Sequence, residues 1–127
     1  MGDHFNFKQE VLSKYDSEIY DMLCDSFCQM PIAALVDDRI LAIHAGISPS
    51  IVKDGLQGIE NINRFKEVNT DQVFIDLLWS DPADEKKQGT DFTFKPNVQR
   101  KCSTTYGKQS INEFLELNDL LCIVRAH

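Results

Sequence analysis

The chain of 127 residues carries 13 Lys and Arg against 20 Asp and Glu, a net charge of −7 with a pI of about 4.8. That balance speaks against nucleic acid as a partner, because phosphate contacts need clustered Lys and Arg. With 43% hydrophobic and 26% charged residues it reads as one domain with a true core, and no apolar run approaches the roughly 20 residues that cross a bilayer.

In chain order, Phe7, Val11, Leu12, Tyr15, Ile19, Tyr20, Leu23 and Phe27 recur at helical spacing. They predict a helix from Phe7 to Gln29, with a weak break at Ser17 that allows two helices, ended by Pro31. Ile32–Val36 and Ile40–His44 are almost wholly apolar and joined by Asp37-Asp38-Arg39, which predicts a hairpin whose strands are covered on both faces. Gly46 and Pro49 mark a turn. Residues 50–78 then read as helical in two stretches, one from Ile51 to Phe65 and a short one from Val73 to Leu78, ended by Trp79-Ser80-Asp81-Pro82. Residues 83–91 predict a loop and 92–107 irregular backbone. Ser110 with Glu113 forms a capping-box pattern for a helix through Leu117. Asn118-Asp119 turns the chain into a last strand, Leu120–Val124. The sum is a mixed α/β domain.

Two apolar strands run into histidines, Ile40–Ile43 into His44 and Leu120–Val124 into His127. Neutral imidazole is a common ligand for Zn, Fe and Mn. Satisfied structural histidines are the alternative reading, and no carboxylate at ligand spacing stands beside either one. Arg100 offers a planar fork of donors suited to phosphate, against the reading of a solvated surface arginine. Trp79, the one tryptophan, suits packing at a helix end. His4 lies in a terminal segment and is given no role. Cys24 and Cys28, one helical turn apart, could clip a metal, but reduced cysteines on a partly buried helix face are favoured. With Cys102 and Cys122 and no secretory leader, they predict a reducing compartment, cytoplasm or nucleus.

Taken together the motifs are more specific. His44-Ala45-Gly46-Ile47-Ser48-Pro49, Leu77-Leu78-Trp79-Ser80-Asp81-Pro82 and Arg125-Ala126-His127 resemble, in order, the His-Gly-Gly-Leu-Ser-Pro, Leu-Trp-Ser-Asp-Pro and Arg-Ala-His-Glu blocks of the metal-dependent serine/threonine phosphoprotein phosphatases. Phe7-Lys8-Gln9-Glu10, Pro31–Leu35 and Arg64-Phe65-Lys66-Glu67 are similar to the calcineurin branch of that family. The resemblance runs from Phe5 to the last residue. It implies part of a β-sandwich flanked by helices and a dinuclear centre of Fe/Zn or Mn, whose bridging hydroxide attacks phosphoserine or phosphothreonine proteins. By the same resemblance His44 and His127 ligate metal, Arg100 grips the substrate phosphate, and Trp79 and Asp81 line the site.

The family's Gly-Asp-x-His-Gly, Gly-Asp-x-Val-Asp-Arg-Gly and Gly-Asn-His-Glu blocks have no counterpart in residues 1–127, nor do the segments that in calcineurin engage a regulatory subunit and calmodulin. The expectation is therefore a partial catalytic domain that is inactive alone. A non-catalytic pseudophosphatase, or a module that binds phosphatase partners, is the alternative. Ala45 replaces a family glycine, and if that position needs a positive φ its Cβ costs about 1–2 kcal/mol.

Overall fold

The computed structural model describes residues 6–68, 71–84, 86 and 89–126. Among them the chain forms two compact units. The residues up to Met30 join Arg64–Glu67 in one, and Pro31–Asn63 join the residues from Val68 onward in the other.

The first unit is built on α1 (Phe7–Lys14) and α2 (Ser17–Gln29). The break falls at Tyr15 and Asp16, both extended. Asp16, one residue before the predicted break, caps α2 by accepting from the Ile19 amide at 3.0 Å. The Phe7 ring meets Phe27 at 5.6 Å and Tyr20 at 6.0 Å between centroids. Met30 sits at φ −68° and ψ 144°, the extended conformation that a following proline imposes. The Arg64 guanidinium donates to the carbonyls of Gln29 and Met30, placing a cation where the helix leaves its last acceptors unpaired.

Among the described residues the second unit shows two three-stranded sheets and three helices of eight residues or more. In the first sheet β1 (Ala33–Val36) pairs antiparallel with β2 (Ile40–Ile43), and β2 pairs parallel with β6 (Cys122–Arg125). The hairpin turns through Asp37 and Asp38, at φ 53° and 52°, with the Arg39 amide donating to the Val36 carbonyl at 3.1 Å. Aspartate is among the few residues that tolerate the left-handed region this turn requires. β1 and β2 are each one residue shorter than predicted, and β6 starts two residues after Leu120 and ends one residue beyond Val124, shifts of the size common at strand ends.

α3 (Pro49–Glu60) starts on its proline, which suits the first helical position. The predicted stretch to Phe65 stops at Glu60, and Gly55, at φ 61°, kinks the helix midway. The Leu56 amide freed there donates to the Asn118 side chain at 3.0 Å. α4 (Gln72–Trp79) is capped by Asp71, which accepts from the Phe74 amide. α5 (Lys108–Leu117) begins two residues before the predicted cap, on Gly107. Ser110 lies inside it and donates to the carbonyls of Thr93 and Gly107, so the capping box does not form. Gly107 is required there for space, since a Cβ would lie 1.9 Å from the Phe92 carbonyl oxygen.

Residues 92–107, predicted irregular, supply most of the second sheet. β5 (Thr104–Tyr106) pairs parallel with β3 (Asp81–Pro82) and antiparallel with β4 (Phe94–Pro96). Three-residue strands rich in Thr, Lys and Pro carry too little alternation to be seen in sequence.

The core forms where β2 meets α3, α4 and α5. Leu41, Ile43, Ile47, Ile51, Leu77 and Phe114 pack there at 6% exposure or less. Truncating Phe114 to Ala would cost about 3–5 kcal/mol. Leu41 and Ile43 share their sheet face with Ala33, Leu35 and Ile123. The opposite face, Val36, Ile40, Ala42 and Val124, is covered only in part: Ile40 and Ala42 are half-buried, but Val36 is 52% and Val124 53% exposed. Apolar sheet surface left open promotes association. The chain is therefore expected to bind a hydrophobic dye and self-associate in sedimentation velocity, and Val36→Lys with Val124→Lys should reduce both. A monodisperse wild-type monomer that binds no dye would contradict this.

Candidate functional site

The parallel ladder between β2 and β6 sets Ile43 opposite Arg125. One step further the Ala126 amide donates to the His44 carbonyl at 3.2 Å. The two strands thus end side by side at one end of the sheet. His44 is exposed at that end. His127 lies outside the described residues, as does His4.

The backbone after His44 is fixed on several sides. The Ala45 amide donates to Leu77 O at 3.0 Å. Its carbonyl accepts from Arg125 Nε at 2.6 Å and from the Tyr106 hydroxyl at 3.1 Å. Ala45 is fully buried and does not hold a positive φ, so the cost foreseen for its Cβ does not arise. The demand for glycine falls on the next residue instead. A Cβ at Gly46 would stand 2.1 Å from Cε1 of Tyr106, whose ring lies against that backbone.

Arg100 sits on a tight turn made by Asn97. The Asn97 side-chain oxygen accepts from the Arg100 amide at 3.1 Å, and its main-chain oxygen from the Lys101 amide at 3.0 Å. Lys101 and Ser103 then take φ of 59° and 60°, and the chain returns into β5. Asn97 Nδ2 donates to Asp81 Oδ2 at 2.9 Å, and Arg100 Nε donates to the same oxygen at 3.0 Å. Arg125 reaches the other oxygen, Oδ1, at 3.5 Å. The Arg100 guanidinium carbon stands 5.8 Å from the centre of the Trp79 ring, within cation–π range. Asp81, Asn97, Arg100 and Arg125 line a cleft of about 550 Å³ with Pro82 and Thr105.

The structure therefore brings Arg100, Trp79 and Asp81 together and puts His44 at the end of β2, in the other sheet. Asn97, Tyr106 and Arg125 were assigned no role from sequence. The asparagine three residues before Arg100 was the one readable signal, since Asn favours the first position of such a turn. The contacts of Tyr106 and Arg125 with Ala45 span 61 and 80 residues, and no local pattern announces them.

Among the described residues no group of three or more His, Cys, Asp or Glu could hold a metal ion. Those residues do not by themselves fit a dinuclear metal centre. Cys24 and Cys28 are free. Burial pushes the Cys28 thiol up, and Glu67, Asp25 and Cys24 add to the shift, which disfavours the thiolate a metal needs. What the cleft offers is arginine held in place by a carboxylate through a charge-assisted hydrogen bond.

Burial raises the Tyr106 phenol to about 12, against a smaller lowering by Arg125, with Asp81 adding to the rise. The unfolded phenol ionises near 10, so between those values the unfolded chain releases a proton that the native chain keeps. Stability must then fall as pH rises from about 10 to about 12, by on the order of 2 kcal/mol. Denaturant titrations across that range should show the loss in the wild type and a flatter profile in Tyr106→Phe. Equal slopes would mean that Tyr106 does not carry it.

The profile of the calcineurin-like phosphoesterase family matches residues 1–127. The sequence is 39% identical over 135 residues to the serine/threonine-protein phosphatase 2B catalytic subunit A1 of Saccharomyces cerevisiae, covering all of this chain and 24% of that protein. It is 32% identical to the serine/threonine-protein phosphatase PP2A-like PPG1 of the same yeast, covering 97% of this chain and 35% of that protein. A solved S. cerevisiae protein serine/threonine phosphatase, described as similar to human phosphatase PP5, superposes with a TM-score of 0.81 at 30% identity, over 95% of this chain and 35% of that one. The chain thus spans about a quarter to a third of the length of these relatives. On the match along its whole length, the chain belongs to the calcineurin-like phosphoesterase family.

Proposed function

We propose that this chain supplies the phosphate-gripping part of a protein serine/threonine phosphatase centre acting on phosphoserine or phosphothreonine proteins, and that it does not turn over substrate by itself. The observation that carries the reading is the Asp81–Arg100 contact at the cleft, Nε to Oδ2 at 3.0 Å. A carboxylate that holds Nε fixes the plane of the guanidinium, and a fixed plane is what two-pronged phosphate recognition needs. Asn97 sets the backbone beneath it, and Trp79 limits where the guanidinium can swing.

Arg100 is the proposed phosphate ligand. His44 and His127 are proposed as metal ligands, from their places after two strands of one parallel pair. The relatives named as protein phosphatases support this assignment. A dinuclear metal centre, of Fe/Zn or Mn, supplies an activated hydroxide in such enzymes. It needs oxygen ligands beyond two imidazoles, which is why this chain alone is assigned recognition and not turnover. A regulatory subunit of calcineurin type is a proposed partner of the longer assembly.

Calorimetric titration with a phosphoserine peptide should show weak binding, and Arg100→Ala should weaken it about 10- to 100-fold, the range expected for charge-assisted hydrogen bonds to phosphate. With added manganese the chain should release no phosphate from the same peptide above the buffer rate. Unchanged affinity in Arg100→Ala would overturn the phosphate assignment. Manganese-dependent turnover that disappears in His44→Ala would overturn the claim of incompleteness.

A further inference from the structure

The contacts of Arg125 reach both halves of the cleft. Arg125 closes β6, opposite Ile43. Its Nε donates to the Ala45 carbonyl at 2.6 Å, one residue past His44. Its terminal nitrogen approaches Asp81 Oδ1 at 3.5 Å, while Asp81 Oδ2 receives Arg100 Nε and Asn97 Nδ2 at 3.0 and 2.9 Å. One carboxylate therefore lies between two guanidinium groups, each on its own oxygen. Only about a quarter of the Arg125 and Asp81 side chains is exposed, so their attraction is less screened than that of a surface pair.

We propose that Arg125 is a positioning residue that couples the His44–Ala45 backbone to the phosphate-gripping Arg100 through Asp81. The proposal rests on the reading of Arg100 as the phosphate ligand. Its chemistry follows from the guanidinium, which presents donors in several directions from one rigid plane. One edge meets a main-chain carbonyl while another faces a carboxylate, so the two cannot move independently. A lysine is a compact charge on a flexible stem and lacks the rigid plane that ties the two contacts together. Asp81, drawn from both sides, is kept in the orientation in which Oδ2 meets Arg100. The end of β2 and the turn that carries Arg100, more than 50 residues apart in sequence, thereby share one hydrogen-bonded frame. The Tyr106 hydroxyl is a second support of the Ala45 carbonyl and steadies that anchor.

The test uses the 127-residue chain with ¹⁵N labelling, reading exchange of the Arg100 Nε–H with water and its response to inorganic phosphate. In Arg125→Gln and in Arg125→Lys the Arg100 Nε–H should exchange about tenfold faster and the phosphate Kd should rise about tenfold. The Ala45 and Gly46 amide signals should shift while those of Leu41 and Phe114 stay in place, reporting an intact core. If only Ala45 and Gly46 respond and the Arg100 signal keeps its wild-type exchange rate, Arg125 merely fixes a strand end and the proposal is overturned. Should Arg125→Gln fail to fold, Asp81→Asn reads the same link from its other end, and unmoved Ala45 and Gly46 amides would sink it. If the wild type itself binds no phosphate, the reading of Arg100 fails, while the exchange rates still decide the role of Arg125.

Discussion

The parallel pairing of β2 with β6 is the constraint on which the rest depends. These strands lie some 80 residues apart in sequence and are joined by the segment that holds α3, α4, the second sheet and α5. A parallel ladder needs such a long crossover. Here the crossover contributes both the cover for the buried sheet face and the turn that carries Arg100. The ladder also decides that the two strands finish at the same end of the sheet. An antiparallel pairing of the same residues would have sent His44 and Arg125 to opposite ends of the sheet. Closing a loop of that length is entropically costly before any contact rewards it, and the packing of Leu41, Ile43, Leu77 and Phe114 offsets that cost.

The cleft shows how little charge is needed to organise a site once water is partly excluded. A single carboxylate, Asp81, receives Arg100, Asn97 and Arg125. By composition an acidic chain with a net charge of −7 disfavours anions. The local balance in the cleft differs from the global one, because two guanidinium groups flank that carboxylate. Global charge governs long-range steering, whereas affinity for a phosphate is set within a few ångströms.

The apolar runs made β1, β2 and β6 visible in the sequence, and helical spacing made α1, α2 and α4 visible, because burial imposes those periods directly. Ser110 misled for a physical reason: it lies inside α5 and its hydroxyl donates to the Thr93 and Gly107 carbonyls, so the capping pattern belonged to a residue that does not cap. The second sheet was hidden because its strands are three residues long at most and stabilised by pairing across the crossover. Of the site, motif resemblance picked out Arg100, Asp81 and Trp79; the first two line one cleft, and the Trp79 ring stands 5.8 Å from the Arg100 guanidinium carbon. Motifs mark residues that chemistry repeats. They say less about Asn97, Tyr106 and Arg125, whose work is to hold others through contacts that close only in three dimensions. Ala45 was flagged for a strain it does not bear, since sequence shows a missing glycine but not the backbone angle at its position.

The kink of α3 at Gly55 has a bearing on motion. The Asn118 side chain accepts the Leu56 amide freed by the kink and donates to the Phe114 carbonyl at 2.8 Å near the end of α5. One amide group thus seals an interruption in one helix and the terminus of another. Neither can fray without exposing the polar groups of both, so the second half of α3 and the last turn of α5 should open as a single cooperative unit, exchanging their amide hydrogens in step.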